Sequence, residues 1–266
     1  MLFNRRLALS AAVMSLAFIS IILVQPVNAF GTDTHYYLTY YIACRSGFTA
    51  EEAQIIASAD YCIDQGGTAS GFMFLRNNPD WHALSSSHTF SSEREAYLWQ
   101  RALAILNSTS PADRDAALIA FGQLLHYSQD RISHQGFILA EVWGHFYVGH
   151  KTDWLAYRQN ASGVMAEKTS SYMLQFAASY KGTAIFQQNY SDFVNELVSA
   201  NPDPMFWHDP DSNASRIVVE DALGSGILPP IIYTYDARGD LIQPNTYSEN
   251  FLIAYFAVLF EQLLPW

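Results

Sequence analysis

Two cysteines in 266 residues can build neither a disulfide scaffold nor a four-thiolate zinc site. Cationic side chains are scarce as well: 14 Lys plus Arg face 25 Asp plus Glu, a formal net charge of −11. The sequence has no Lys/Arg-rich run, which argues against duplex nucleic acid held on a basic face. A Gly-rich phosphate loop, a Gly-x-Ser-x-Gly elbow, a His-Glu-x-x-His helix and a Cys-x-x-Cys-His segment are all missing, and the chemistries built on them go too. There is no internal repeat, low-complexity tract or clear linker. What remains is half apolar and 15% aromatic, which rules out a disordered or collagen-like chain and suffices for one sizeable core.

Residues 1–29 read as a signal peptide. Arg5 and Arg6 precede an apolar or small stretch over 7–24, and Pro26-Val27-Asn28-Ala29 supplies the small residues of a cleavage site. Eighteen apolar residues could just span a bilayer, but the proline and the Val-Asn-Ala end favour cleavage over a retained anchor. The mature chain, 30–266, would begin at Phe30, and losing Arg5 and Arg6 with no acid would take its charge from −11 to −13. A secreted or periplasmic protein is expected. No second stretch is long and apolar enough to span a membrane.

Helix signals dominate the mature chain. Thr49-Ala50-Glu51-Glu52 and Ser92-Glu93-Arg94-Glu95 read as capping boxes, the second ahead of a helix over 97–106. Ser110-Pro111-Ala112-Asp113 places a cap, a first-turn proline and an acid before a helix over 116–128. Further helices are predicted over 154–180, 191–199, 217–223 and 249–264, with irregular stretches over 65–90, 201–215 and 229–245. Ile231 to Tyr235 could form one strand, with residues 236–240 as a turn. The expectation is an all-α, single multi-helix domain with long irregular loops, at most one short hairpin and a metal site between helices. If the first two helices form a hairpin turning near Gly47, Cys62 lies about thirteen residues up the second, roughly 20 Å along it. Bridged cysteines need Cα atoms within about 7 Å, so no Cys44–Cys62 bond is expected.

Four of the eight histidines, His126, His134, His145 and His150, fall within 25 residues. His126, Asp130 and His134 stand at i, i+4 and i+8, which drift only about 40° per step and share one helix face. Imidazole, carboxylate and imidazole form a ligand set suited to zinc. Asp153 follows His150, and upstream lie His35, Asp60, Asp64 and His82. In the assumed hairpin His35 is level with a position near 61, which Asp60 and Asp64 straddle. His88 reads as a loop histidine, and the dipeptide His208-Asp209 sits in a Pro-flanked turn that does not suit a metal helix.

In this order, the residues resemble the zinc-dependent phospholipase C and single-strand-specific nuclease superfamily, in a divergent bacterial-type branch. Phe30-Gly31-Thr32-Asp33-Thr34-His35 is similar to the nuclease opening, whose processed aromatic N-terminus binds zinc through its amine and carbonyl; Phe30 stands in place of Trp. Ala57-Ser58-Ala59-Asp60 resembles the stretch carrying the first carboxylate, with Asp64 an equal alternative for it. His82 looks like the next ligand, and His126 with Asp130 matches a His-x-x-x-Asp whose aspartate bridges two metals. His134 would follow, and His150 with Asp153 would close the set, His145 being a rival. Three residues separate Asp130 from His134 where the superfamily has five, and the closing pair is one residue shorter than its His-x-x-x-Asp or Glu.

The resemblance implies an exported hydrolase of phosphoric esters, using two or three zinc ions to activate water. Phospholipid head-group cleavage is the preferred version, with contact at a membrane surface; nuclease-like phosphodiester cleavage is the alternative. Asp60 or Asp64 would orient the attacking water or serve as base. Two rival readings use the same residues: a non-catalytic exported zinc-binding protein, whose site would be closed, and a structural protein whose histidines line a polar core.

Overall fold

A computed structural model describes residues 31–64, 68, 79–83, 88–108, 110, 113–133, 155, 159–182, 190–200 and 212–245. The expected signal peptide and closing helix lie outside the described residues. Eight α-helices and one small hairpin make up the described part. They are α1 (Thr39–Arg45), α2 (Ala50–Tyr61), α3 (Pro79–His82), α4 (His88–Leu106), α5 (Asp113–Ser133), α6 (Gln159–Lys181), α7 (Ser191–Ala200) and α8 (Ser212–Leu223). Strands β1 (Ile232–Tyr235) and β2 (Leu241–Asn245) pair antiparallel. The fold is all-α.

A π-helical turn, Asp33–Leu38, leads into α1. The Thr39 N–H bonds back five residues to Thr34 O, so this first turn is wider than an α-helix. The tyrosine-rich segment here is core: Tyr36, Tyr37, Tyr40 and Tyr41 are all buried. Gly47 ends the α1 side of the hairpin at φ 87°, a left-handed conformation that glycine adopts without steric cost. Thr49 then starts α2 with a complete capping box to Glu52, as its sequence predicts.

Helix α5 is the centre of the molecule. Residues 120–130 are all buried, as expected of a helix enclosed on every side, with α2, α4 and α6 packed around it. Phe121 stacks on Phe176 of α6 at 4.1 Å between ring centroids, an interaction that adds about 0.5–1.5 kcal/mol beyond area burial. Gly122 lets α2 approach α5 closely: a Cβ there would stand 2.3 Å from Ile56 O and 2.7 Å from Ala59 Cβ. One turn after Gly122 comes His126.

Several boundaries differ from expectation. Helix α4 begins at His88, so Ser92 and Glu95 lie inside it and form no capping box. Glu95 is instead buried and paired with Arg131 of α5 and Lys168 of α6, while Arg131 also donates to Ser92 Oγ. Tertiary ion pairing has taken the residues that local pattern assigned to a cap. The segment read as irregular over 65–90 includes α3, and α5 and α8 start earlier than predicted. The strand near 232–235 gains a partner, and its turn docks on α3. Gly239, at φ 81°, meets the Trp81 ring so closely that a Cβ would lie 2.1 Å from Cζ2, and Trp81 Nε1 donates to Ala237 O. Cys44 and Cys62 are both free thiols. Burial pushes the Cys62 thiol up to about 12, and its sulfur accepts from Tyr233 N–H, tying the hairpin to the end of α2.

Candidate metal centre

Six of the sequence-predicted site residues meet in one place. His35 comes from the π-helical turn, Asp60 from α2, Asp64 from a 3-10 turn (Cys62–Asp64) that extends α2, His82 from the end of α3, and His126 and Asp130 from α5. Each is at most 4% exposed. The hairpin register deduced from sequence is correct: His35 Nδ1 lies 2.8 Å from Asp60 Oδ1 and its Nε2 lies 3.9 Å from Asp64 Oδ2. Phe30, His134, His145, His150 and Asp153 lie outside the described residues, as do His208 and Asp209.

Four atoms form a tight cage. Asp130 Oδ2 is 3.2 Å from both His82 Nδ1 and His126 Nε2, and those two nitrogens are 3.3 Å apart. Asp64 Oδ1 lies 3.6 Å from the first nitrogen and 3.7 Å from the second. Asp64, His82 and His126 form one buried trio whose ligand atoms lie close enough together to hold a metal ion, and His35, Asp60 and His126 form another. His82 is oriented for this role: its Nε2 lies 2.9 Å from Thr68 O, so Nε2–H donates there and the Nδ1 lone pair faces the cage.

The other oxygens turn the opposite way. Asp130 Oδ1 is 3.4 Å from His35 Nε2, so Asp130 addresses His35 with one oxygen and the cage with the other, and Asp64 does the same. Asp60 Oδ1, Asp64 Oδ1, Asp130 Oδ1 and His126 Nδ1 make no aligned hydrogen bond among the described residues. Buried polar atoms in that condition cost free energy unless something else compensates them, and a divalent cation is the natural compensation for this donor set.

Charges within the cluster are strongly perturbed. Burial raises the Asp64 carboxyl to about 6 against the pull of the histidines. Burial would likewise raise Asp130, yet His126, His35 and His82 hold it well below the usual carboxylate range. For the imidazoles, burial works downward and is outweighed: Asp130 and Asp64 raise His126 to about 9, and Asp60, Asp130 and Asp64 hold His35 well above its ordinary value. Perturbations of this kind concentrate at functional sites.

Sequence reading missed Thr39, Gln129 and Gly122. Gln129 Oε1 lies 2.7 Å from His35 Nδ1, its Nε2 donates to Thr39 Oγ1, and Thr39 Oγ1 donates to Asp60 Oδ2 at 2.7 Å. A glutamine between His126 and Asp130, on a helix otherwise rich in Ala and Leu, was the available signal.

Fold and site together define an all-α protein with a buried three-histidine, three-aspartate cluster of metal-ligand geometry. Residues 31–102 match a family of unknown function, DUF6765. The matched stretch carries His35, Asp60, Asp64 and His82; His126 and Asp130 lie beyond it. No curated protein matches the chain, and no solved structure does.

Proposed function

We propose that the protein is an exported, zinc-dependent phosphodiester hydrolase, with a phospholipid head group as the preferred substrate. The observation that supports this reading is the approach of Asp64 and Asp130 to the same His82 and His126 nitrogens at 3.2–3.7 Å, with Asp130 turning its second oxygen to His35. Asp64, His82, His126 and Asp130 would hold one ion, and His35 with the far oxygens of Asp130 and Asp64 would contribute to another. Phe30, His134, His145, His150 and Asp153 remain proposed ligands from the resemblance. Bound zinc would supply Lewis acidity, polarising a phosphoryl oxygen and making water acidic enough to attack near neutral pH. A local cation pair also reconciles an anionic substrate with a chain of net charge −11.

The test uses protein secreted and processed by its host, loaded with zinc. Hydrolysis of bis(p-nitrophenyl) phosphate and release of phosphocholine from phosphatidylcholine vesicles are measured before and after chelation. Turnover that disappears with chelator and returns with zinc is expected, and Asp130→Asn should lower kcat/KM at least about 100-fold. A protein carrying one additional residue before Phe30 should lose zinc and activity; undiminished zinc and turnover would remove Phe30 from the site.

A second reading, a non-catalytic exported zinc-binding protein, is favoured by one observation: all six clustered side chains are at most 4% exposed, as a closed site would be. Tight zinc with no turnover on either ester would select it.

A further inference from the structure

We infer that His126 is a bridging ligand. Its Nε2 serves the ion in the cage, and its Nδ1, with His35 and Asp60, holds a further ion on the opposite side of the ring. The inference rests on the metal-holding reading above and adds a position to it, distinct from the one that His35 would share with the far oxygens of Asp64 and Asp130.

The two buried trios, Asp64–His82–His126 and His35–Asp60–His126, have one residue in common. They meet that residue at different atoms. His126 Nε2 lies 3.3 Å from His82 Nδ1 and 3.7 Å from Asp64 Oδ1. His126 Nδ1 lies 3.4 Å from Asp60 Oδ1, and that oxygen is 2.8 Å from His35 Nδ1. The two nitrogens of an imidazole point apart in the plane of the ring, so a single ion cannot bind both. Trios that share a ring through its opposite nitrogens are therefore two positions with the ring between them.

The Nδ1 side has what such a position requires. Asp60 Oδ1 and His126 Nδ1 are buried and make no hydrogen bond among the described residues, a costly state that a cation relieves. The other Asp60 oxygen is already engaged, accepting from Thr39 Oγ1 at 2.7 Å, which leaves Oδ1 to face the imidazoles. Gln129 Oε1, 2.7 Å from His35 Nδ1, brings a neutral oxygen to the same side. Two imidazoles, a carboxylate and an amide oxygen suit a divalent ion such as zinc. The donors come from the π-helical turn, α2 and α5, so an ion here would tie three elements together. A ring with an ion on each nitrogen has released its last ring hydrogen to solvent as a proton. The resulting imidazolate adds a negative charge where divalent ions gather.

The experiment loads the unaltered full chain, Asp60→Asn and His126→Gln with Zn²⁺, counts bound ions by metal analysis and checks folding by circular dichroism. In parallel, protein carrying ¹⁵N-labelled histidine is loaded with ¹¹³Cd²⁺, and coupling of cadmium to each ring nitrogen is read by NMR. Asp60→Asn should bind one ion fewer than the unaltered chain, and His126→Gln two fewer. Both His126 nitrogens should be split by cadmium in the unaltered chain, and only Nε2 in Asp60→Asn. If His126→Gln does not fold, the Asp60→Asn count and the couplings decide. A full complement of ions in Asp60→Asn, loss of a single ion from a folded His126→Gln, or a His126 nitrogen without cadmium coupling in the loaded chain would overturn the bridge. Those results leave the metal-holding reading standing, whereas an unaltered protein that takes up no ion at all removes both.

Discussion

Asp64 and Asp130 each offer one oxygen to the cage and the other to His35, so their amide variants would report on any ions the two carboxylates share. Asp130→Asn should lose more than one ion by metal analysis, because an amide cannot present two anionic oxygens; loss of one or none would contradict a bridging role. Glu95 offers a stability test away from the site. It is 4% exposed and holds Arg131 and Lys168, each about a third exposed or less. Glu95→Gln should lower stability by about 1–3 kcal/mol, read as a lower urea midpoint at unchanged slope. At this scale the sequence was partly legible. His126 and Asp130 stood out because helical spacing puts them on one face, and His35 because residue counting places it level with Asp60 and Asp64. Choosing between the two aspartates was beyond periodicity. Asp64 lies past the end of α2 in a 3-10 turn, and a change of helix type rotates a side chain in a way no spacing rule reveals.

Among elements, the α2–α5 contact places two of the carboxylates beside His126. Gly122 permits it, since a Cβ would meet Ile56 O at 2.3 Å and Asp60 N at 3.0 Å. Gly122→Ala should push the helices apart and cost about 1–3 kcal/mol as overpacking does, although alanine favours an isolated helix by about 1 kcal/mol. Denaturant unfolding checks the sign: a more stable variant would show that the helices yield freely. The variant should also bind zinc more weakly, because Asp60 and His126 move with the two helices. Helices α2, α5 and α7 were readable from caps and apolar runs. The early start of α4 was not, because Ser92 and Glu95 imitate a capping box while serving Arg131 and Lys168 of other helices. The docking of the β1–β2 turn on Trp81 was likewise invisible. It depends on a surface made by α3, and local sequence carries no record of what a turn will meet.

At the scale of the whole molecule, an all-α core has been built around a group of charges that its burial makes expensive. Apolar side chains of similar volume would serve a purely structural core at least as well. In the metal-free protein the imidazoles answer the carboxylates by holding protons: His126 is raised to about 9 and His35 well above its usual value, against about 6.5 in an unfolded chain. A raised imidazole contributes stability that is complete below the unfolded value and is lost as pH climbs through the folded one. Asp130, held low by the histidines, contributes above the ordinary carboxylate range and is lost on acidification through its folded value. Between about pH 6.5 and 8.5 the imidazoles decide the slope, so in chelator the thermal midpoint should fall as pH rises. Bound zinc would reverse the sign. It would need the same lone pairs, compete better as protons leave, and stabilise the fold by an amount that grows with the logarithm of the zinc concentration over its dissociation constant. With zinc in excess the midpoint should therefore rise across that window, and the two curves should diverge with increasing pH. Parallel curves, or a midpoint indifferent to chelator throughout, would mean that these histidines and aspartates merely neutralise one another inside the core.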